Sequence, residues 1–279
     1  MTPHTGTGGG DDRYSWLVES QGPTPPAGNR LRAAVVILAG GMGSRIGSDM
    51  NKVYLTIRGR HILDYSVETV LSCELVTDLV LVHRADDAGQ IERLVAAVGG
   101  RSTDLAVHTT LGGETRHESE YAGVAALRSR IDEGLLDVVA VHDGARPFMG
   151  RDLLVRSLVD AAAHGAVIPG LVVTDELYAM DRHRFVDPHD HVWVQTPQTF
   201  DAATLLAAHD AAHSAGFRGV DTAEVVQNFS DADVRIIPGH DANIKITYQT
   251  DLVTSEALAV AWESEHADPG VDAPPPAGA

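Results

Sequence analysis

An α/β protein, a layered sheet covered by helices, is predicted by three features of the 279-residue sequence: short β-branched runs, longer stretches of helical period, and their alternation. The ends fall outside that pattern. Residues 1–30 hold Gly-Gly-Gly, Asp-Asp and Gly22-Pro-Thr-Pro-Pro-Ala-Gly28, and residues 264–279 hold Pro274-Pro-Pro276. Such compositions bury too little apolar surface to offset ordering entropy, so both are expected to be disordered tails. The body, 31–263, has no internal linker or repeat and is expected to be one domain.

Within the body the elements follow in order. The first strand is Ala33–Leu38, the run Ala-Ala-Val-Val-Ile-Leu, and a helix is expected over Ile62–Leu71. Strand Leu79–His83, helix Ala88–Val98, strand Leu105–Thr109 and helix Arg116–Arg130 come next. Strand Val138–His142, helix Arg151–His164 and strand Ala166–Ile168 continue the rhythm. Segment 171–191 breaks it: it is too long for a crossover loop and has no helical stripe, which suits an arm or hairpin exchanged between subunits. Strand Val192–Gln195, helices Ala202–Ala215 and Thr222–Asn228, strand Val234–Ile237 and helix Thr250–Ala261 complete the body.

Charge narrows the function. Lys plus Arg number 21 against 39 Asp plus Glu, a formal net charge of −18. Phosphate-backbone affinity needs a basic face, so a general nucleic-acid binder is excluded. Only two of the basic residues, Lys52 and Lys245, are lysines. The single cysteine, Cys73, cannot form an internal disulfide, which suits a reducing compartment. The longest apolar stretch, Ala33 to Ala39, is far short of the roughly 20 residues that span a bilayer, and no membrane association is expected. A cytoplasmic location is the expectation.

The first strand runs into Leu38-Ala-Gly-Gly-Met-Gly-Ser-Arg-Ile-Gly47, with Lys52 five residues on. Glycines at a strand end let backbone N–H groups approach phosphate oxygens, and the Arg and Lys add charge to the same anion. A Walker A loop needs a Gly-Lys pair, and the chain has none. A dinucleotide fingerprint needs a third glycine where Ile46 stands, which disfavours an NAD-linked dehydrogenase. Four further motifs follow in order: Gly112-Gly-Glu-Thr-Arg-His-Glu-Ser119, Val141-His-Asp-Gly-Ala-Arg-Pro147, Gln195-Thr-Pro-Gln198 and Asp241-Ala-Asn-Ile-Lys-Ile-Thr247. The five together, across residues 33–260, resemble the 2-C-methyl-D-erythritol 4-phosphate cytidylyltransferase family and its close relatives, the ribitol 5-phosphate cytidylyltransferases.

The resemblance implies a Rossmann-like nucleotidyltransferase fold, a mostly parallel mixed sheet with helices on both faces and a projecting dimerisation arm. It implies cytidylyl transfer from CTP to a polyol phosphate, with 2-C-methyl-D-erythritol 4-phosphate first and ribitol 5-phosphate or another polyol phosphate as the alternative. Arg45, Lys52 and Lys245 become the catalytic cations, and backbone groups of Ala39, Gly40, Gly41 and Gly43 line the triphosphate. Gly112, Gly113 and Ser119 fall where the family holds cytosine and ribose, and Arg116 could face the triphosphate. Asp143, at a strand end where open α/β sheets place ligands, is implied at the centre of the site as the Mg²⁺ ligand. Arg146, Thr174, Thr196 and Asp241 are implied on the substrate side, Thr196 against the acceptor phosphate. Mg²⁺ suits a site shared with triphosphate oxygens. A homodimer through exchanged arms would complete each acceptor site.

The arm departs from the family. Val172-Val-Thr-Asp-Glu-Leu-Tyr-Ala179 keeps only Thr174-Asp175 of the usual run, and Pro188, with His189 beside it, stands where the family has an arginine for the acceptor phosphate. Arg182, Arg184, His189 and His191 are the candidates to replace it. The altered arm leaves the polyol's identity open and is the one support for a different class, a non-catalytic nucleotide-binding module.

Overall fold

Successive residues of a strand point to opposite faces, and in β1 (Ala33–Leu38) both sets are apolar: Ala33, Val35 and Ile37 join one core cluster, Ala34 and Val36 the other. A strand buried on both sides belongs inside a sheet with helices on each face. The computed structural model describes residues 30–41, 51–100 and 104–265. The expected tails lie outside the described residues except for Arg30, Ser264 and Glu265, as do Gly43 and Arg45.

After β1 come β2 (Thr56–Ile57), β3 (Arg60–His61), α1 (Ile62–Leu71), β4 (Val76–His83), α2 (Ala88–Gly99) and β5 (Ala106–Leu111). Then follow α3 (Arg116–Ala125), α4 (Arg128–Asp132), β6 (Val138–Asp143), α5 (Arg151–His164) and β7 (Ala166–Val172). The chain continues with β8 (Leu177–Ala179), β9 (Arg184–Val186), β10 (Val192–Val194) and β11 (Gln198–Asp201). It ends in α6 (Ala202–Ser214), α7 (Thr222–Phe229), β12 (Arg235–Pro238) and α8 (Gln249–Glu265).

β6, β1, β4 and β5 lie side by side in parallel, and β11 runs antiparallel between β6 and β7. β12 pairs with β7 in parallel, β10 antiparallel. Residues of α1, α2 and α5 share the core cluster on one face, and residues of α3, α4, α6 and α7 share the other. A third cluster joins α8 through Ala259 and Trp262 to Ile57, Tyr65 and Phe148. Among the described residues no helix is long and apolar enough to cross a membrane.

Several elements differ from expectation, among them β2 and β3, which have no counterpart in the sequence pattern. The helix expected over 116–130 is divided, because Leu127 leaves helical geometry (φ −94°, ψ 0°) and is buried whole in the core. β11 has the polar reading Gln-Thr-Phe-Asp, yet Gln198, Thr199 and Phe200 are all fully buried by its place between two strands. Val194 faces Gly170 while Thr199 faces Val167, so the chain bulges between β10 and β11 at Gln195-Thr196-Pro197. Segment 171–191 forms the hairpin β8–β9, with Tyr178, Met180 and Phe185 exposed.

Candidate active site

Parallel strands aligned in a sheet bring their carboxyl ends to one edge, and here β1 ends beside β6, with Leu38 opposite Asp143. A cavity of about 320 Å³ opens there, lined by Gly40 and Gly41 after β1, Lys52, Gly113, Arg116 and Ser119 of α3, Asp143 and Lys245. Four of the five sequence motifs therefore meet at one cavity, and the fifth, Gln195-Thr-Pro-Gln198, stands behind it through Thr196.

Asp143 is its electrostatic centre. Lys245 Nζ donates to Oδ2 at 2.7 Å, Arg116 Nη2 donates to Oδ1 at 3.3 Å, and Arg146 Nε lies 3.8 Å from Oδ2. Burial on its own raises this carboxyl, but Arg116, Lys245 and Arg146 together hold it well below the usual carboxylate range. The site thus keeps a permanent anion and three cations within reach of it.

A buried hydrogen-bond chain backs Asp143. His142 Nε2 lies 2.9 Å from the Arg146 carbonyl, which can only accept, so Nε2 carries the proton and Nδ1 is the acceptor. Thr196 Oγ1, 3.0 Å from Nδ1, therefore donates its proton there and accepts from the Asp143 N–H at 3.2 Å. Burial drives the His142 imidazole down to about 4, which keeps it neutral for this role. Asn243 Nδ2 holds the Thr196 carbonyl at 2.7 Å, and Gln195 bridges to His240.

Lys52 sits in a short turn whose preceding residue, Asn51, donates to the Ala39 carbonyl and, at 2.8 Å, to Asp87. Its ammonium donates to the Ile246 carbonyl at 2.8 Å, next in sequence to Lys245. The two lysines are thereby linked through one stretch of backbone. At Gly112 and Gly113 the chain passes so close to α3 that an added Cβ would lie 2.7 Å from Ser119 Oγ and 2.3 Å from Glu118 Cβ respectively.

Some expected residues stand elsewhere. Both backbone groups of Ala39 are engaged, its N–H with the Val82 carbonyl and its carbonyl with Asn51. Gly112 likewise donates its N–H to the His83 carbonyl. Thr196 reaches the site, but behind Asp143: it is buried and its proton is spent on His142. Thr174 and Asp241 are exposed and do not line the cavity. In the arm, His189 Nδ1 pairs with Asp187 at 2.7 Å and Arg182 with Asp181 at 3.4 Å. Sequence reasoning passed over His142, Gln195, Asn243 and Glu120; the last stands four residues beyond Arg116, one helical turn, which was the available signal.

Among the described residues no group of three His, Cys, Asp or Glu would hold a metal by itself. An ionised Asp143 fits a cation that takes its remaining ligands from phosphate oxygens, the habit of Mg²⁺.

Residues 33–260 match the family model described as 2-C-methyl-D-erythritol 4-phosphate cytidylyltransferase. A protein of that name from Geobacillus thermodenitrificans is 34% identical over 228 residues, covering 80% of this chain and 95% of the relative. Its counterpart from Clostridium botulinum is 29% identical over 229 residues, covering 81% and 98%. Among solved structures, the 4-diphosphocytidyl-2C-methyl-D-erythritol synthase of Anaerococcus prevotii superposes with a TM-score of 0.70 at 25% identity, covering 82% of this chain and 96% of that one. The 2-C-methyl-D-erythritol 4-phosphate cytidylyltransferase of Thermus thermophilus gives 0.64 at 29% identity, covering 82% and 100%.

Proposed function

Since the chain belongs to the 2-C-methyl-D-erythritol 4-phosphate cytidylyltransferase family, we propose that it is the enzyme that transfers the cytidylyl group of CTP to 2-C-methyl-D-erythritol 4-phosphate. The products are CDP-methylerythritol and pyrophosphate, and the reaction serves isoprenoid precursor synthesis. The observation that carries this reading is the cluster of Arg116, Lys245 and Arg146 on one ionised carboxylate, Asp143, at the mouth of a glycine-lined cavity that also holds Lys52.

An oxygen of the acceptor phosphate attacks the α-phosphorus of CTP, a new P–O bond forms, and the bond to the β-phosphate breaks with pyrophosphate leaving. The attacking oxygen is already ionised near neutral pH, so no general base is required. What the protein supplies is position and electrostatic stabilisation of charge that builds on the transferring group. Lys52 and Lys245 are assigned that charge, with Arg45, outside the described residues, on the triphosphate. Gly40 and Gly41 offer close backbone approach to it, and Gly113 and Ser119 a wall for the nucleoside. Asp143 would hold a Mg²⁺ shared with the triphosphate, and the ion would neutralise phosphate charge when bound. Arg146 and Thr196 are assigned the shape of the acceptor side, Arg146 through its Nη1 bond to the Asn243 carbonyl at 2.8 Å.

A homodimer through exchanged arms, acting in the cytoplasm, completes the proposal. The support is an exposed hairpin carrying Tyr178, Met180 and Phe185, with His189 and Arg184 on it or next to it as phosphate-seeking groups. Thr174 and Asp241 would then act only across such an interface or after a local shift.

Purified protein with CTP, Mg²⁺ and a panel of polyol phosphates tests the reading through pyrophosphate release. Turnover of methylerythritol phosphate over ribitol 5-phosphate is expected. Preference for ribitol 5-phosphate would change the acceptor; CTP binding by calorimetry without any turnover would establish a binding module instead.

A further inference from the structure

On α3, one turn beyond Arg116, lies an acidic side chain with no part in the cavity lining, Glu120, whose carboxyl pKa is pushed up to about 7 by burial against the opposing pull of Arg116 and Thr222. Glu120 is fully buried and touches the Arg116 guanidinium directly. Its Oε1 also accepts a 2.6 Å hydrogen bond from Thr222 Oγ1. Thr222 opens α7, whose N-cap, Asp221, accepts from Gln198 Nε2 at 2.9 Å; Gln198 in turn accepts from the Ala223 N–H at 3.1 Å. Gln198 belongs to β11, the neighbour of β6 and hence of Asp143.

Arg116 is thus gripped from both sides. Its Nη2 and Nε reach Asp143 Oδ1 at 3.3 and 3.4 Å, while Nη1 meets Glu120, which is tied to the corner where α7 joins the sheet. Burying a carboxylate is costly, and an apolar side chain would fill the same space at less expense. The acid makes sense for what it does to the guanidinium. An arginine held in one rotamer loses little freedom when an anion binds, whereas a loose one must be ordered by its ligand.

Resting on the reading that this cavity receives the triphosphate of CTP, we propose that Glu120 is a positioning residue that holds the Arg116 guanidinium in the orientation that meets the triphosphate. Glu120 acts only through Arg116, since it is sealed from the cavity by its own burial. Its counterpart across the contact, Thr222, fixes the carboxylate from a different helix, so the device couples the α3–α7 packing to nucleotide affinity.

A double-mutant cycle read by calorimetry of CTP with Mg²⁺ tests this. Glu120→Leu is expected to weaken CTP binding about tenfold with wild-type Arg116, and Glu120→Gln, which keeps the shape and a polar oxygen beside the guanidinium, by about threefold or less. In an Arg116→Met background both changes are expected to fall to about twofold or less, because the residue they act through is gone. Should Glu120→Leu not fold, Glu120→Ala carries the same cycle with the same expected loss. Wild-type affinity in Glu120→Leu, or a loss of equal size with and without Arg116, overturns the proposal. Turnover of methylerythritol phosphate by the wild type is measured beside it. CTP binding without turnover removes the proposed reaction and leaves the cycle to judge Glu120, whereas a wild type that binds no CTP overturns both.

Discussion

Lys52 and Lys245 are the chain's two lysines, and both line the one cavity that holds Asp143. Lys52 Nζ is fixed on the Ile246 carbonyl and Lys245 Nζ on Asp143, so each ammonium is positioned before substrate arrives. Groups of this kind act mainly on charge that develops in the transition state. Lys52→Ala and Lys245→Ala are therefore expected to lower kcat by roughly 10²–10³ with a smaller rise in KM; raised KM at unchanged kcat in both variants would contradict that role. These residues were legible because lysine is so rare here that position and chemistry point the same way. The sequence motif around Thr196 does not say that its hydroxyl proton goes to His142. Nor does the first glycine-rich motif show that β4 and Asn51 engage the backbone of Ala39.

Helix α3 is where local pattern and tertiary constraint meet. Thr115 and Glu118 form a capping box that starts the helix at Arg116, a signal readable from spacing. How close the helix comes to the sheet is set instead by Gly123, where a Cβ would lie 2.4 Å from Val36 Cγ1 and 2.8 Å from Val82 Cγ2. That close approach carries Arg116 to the end of β6. The arm is the opposite case, an element with little core of its own. Tyr178 and Phe185 pack edge to face at 5.2 Å and remain exposed, as do Met180 and Trp193. Such a surface on a slender hairpin calls for a partner, and the proposed one is the same arm of a second copy. Phe185→Asp is expected to shift the protein toward monomer in sedimentation velocity and to raise KM for the acceptor more than for CTP. An unchanged dimer with unchanged acceptor KM would count against arm exchange. Strand β1 was readable to the residue because it is an unbroken apolar run, and helices such as α1 and α5 because apolar residues recur at helical spacing in each. β11 was not, because Gln198 and Thr199 are polar and give no strand signal until two neighbouring strands bury them.

Across the whole molecule, a net charge of −18 coexists with a site for two anionic substrates, which requires cations to be gathered rather than numerous. The fold gathers Arg116, Arg146 and Lys245 around one carboxylate from three separate stretches of chain. The same burial that builds the interior sets its response to acid. His209 is fully buried, neither ring nitrogen has a hydrogen-bond partner among the described residues, and its ring stacks on His117 at 5.6 Å. Burial, with His117 beside it, drives its pKa down to about 4, against roughly 6.5 in an unfolded chain. Between those values the unfolded state binds the extra proton, so this residue's contribution is fully present above about pH 6.5 and is lost as pH falls toward 4, at about 1.4 kcal/mol per pH unit. His209→Phe is accordingly expected to gain stability relative to the wild type as pH is lowered through that window. Urea unfolding at several pH values measures it, and parallel profiles for the two proteins would refute the assignment.

Residue chemistry, motif order and the stronger periodic elements can be read along the chain because each is a property of a few neighbouring residues. They are enough for the fold class, the family and the type of reaction. Which groups face one another is a different matter. That Asp143 is clamped by residues 116, 146 and 245, that Thr196 stands behind it, and that Glu120 grips Arg116 from within all follow from strand order and helix packing. Those arrangements are decided by pairings between residues far apart in sequence, such as β1 with β6 and β11 with β6, which no local pattern specifies. Burial adds the last term, since the charge state of Asp143, His142 and His209 depends on what surrounds them and exists only once the chain is folded.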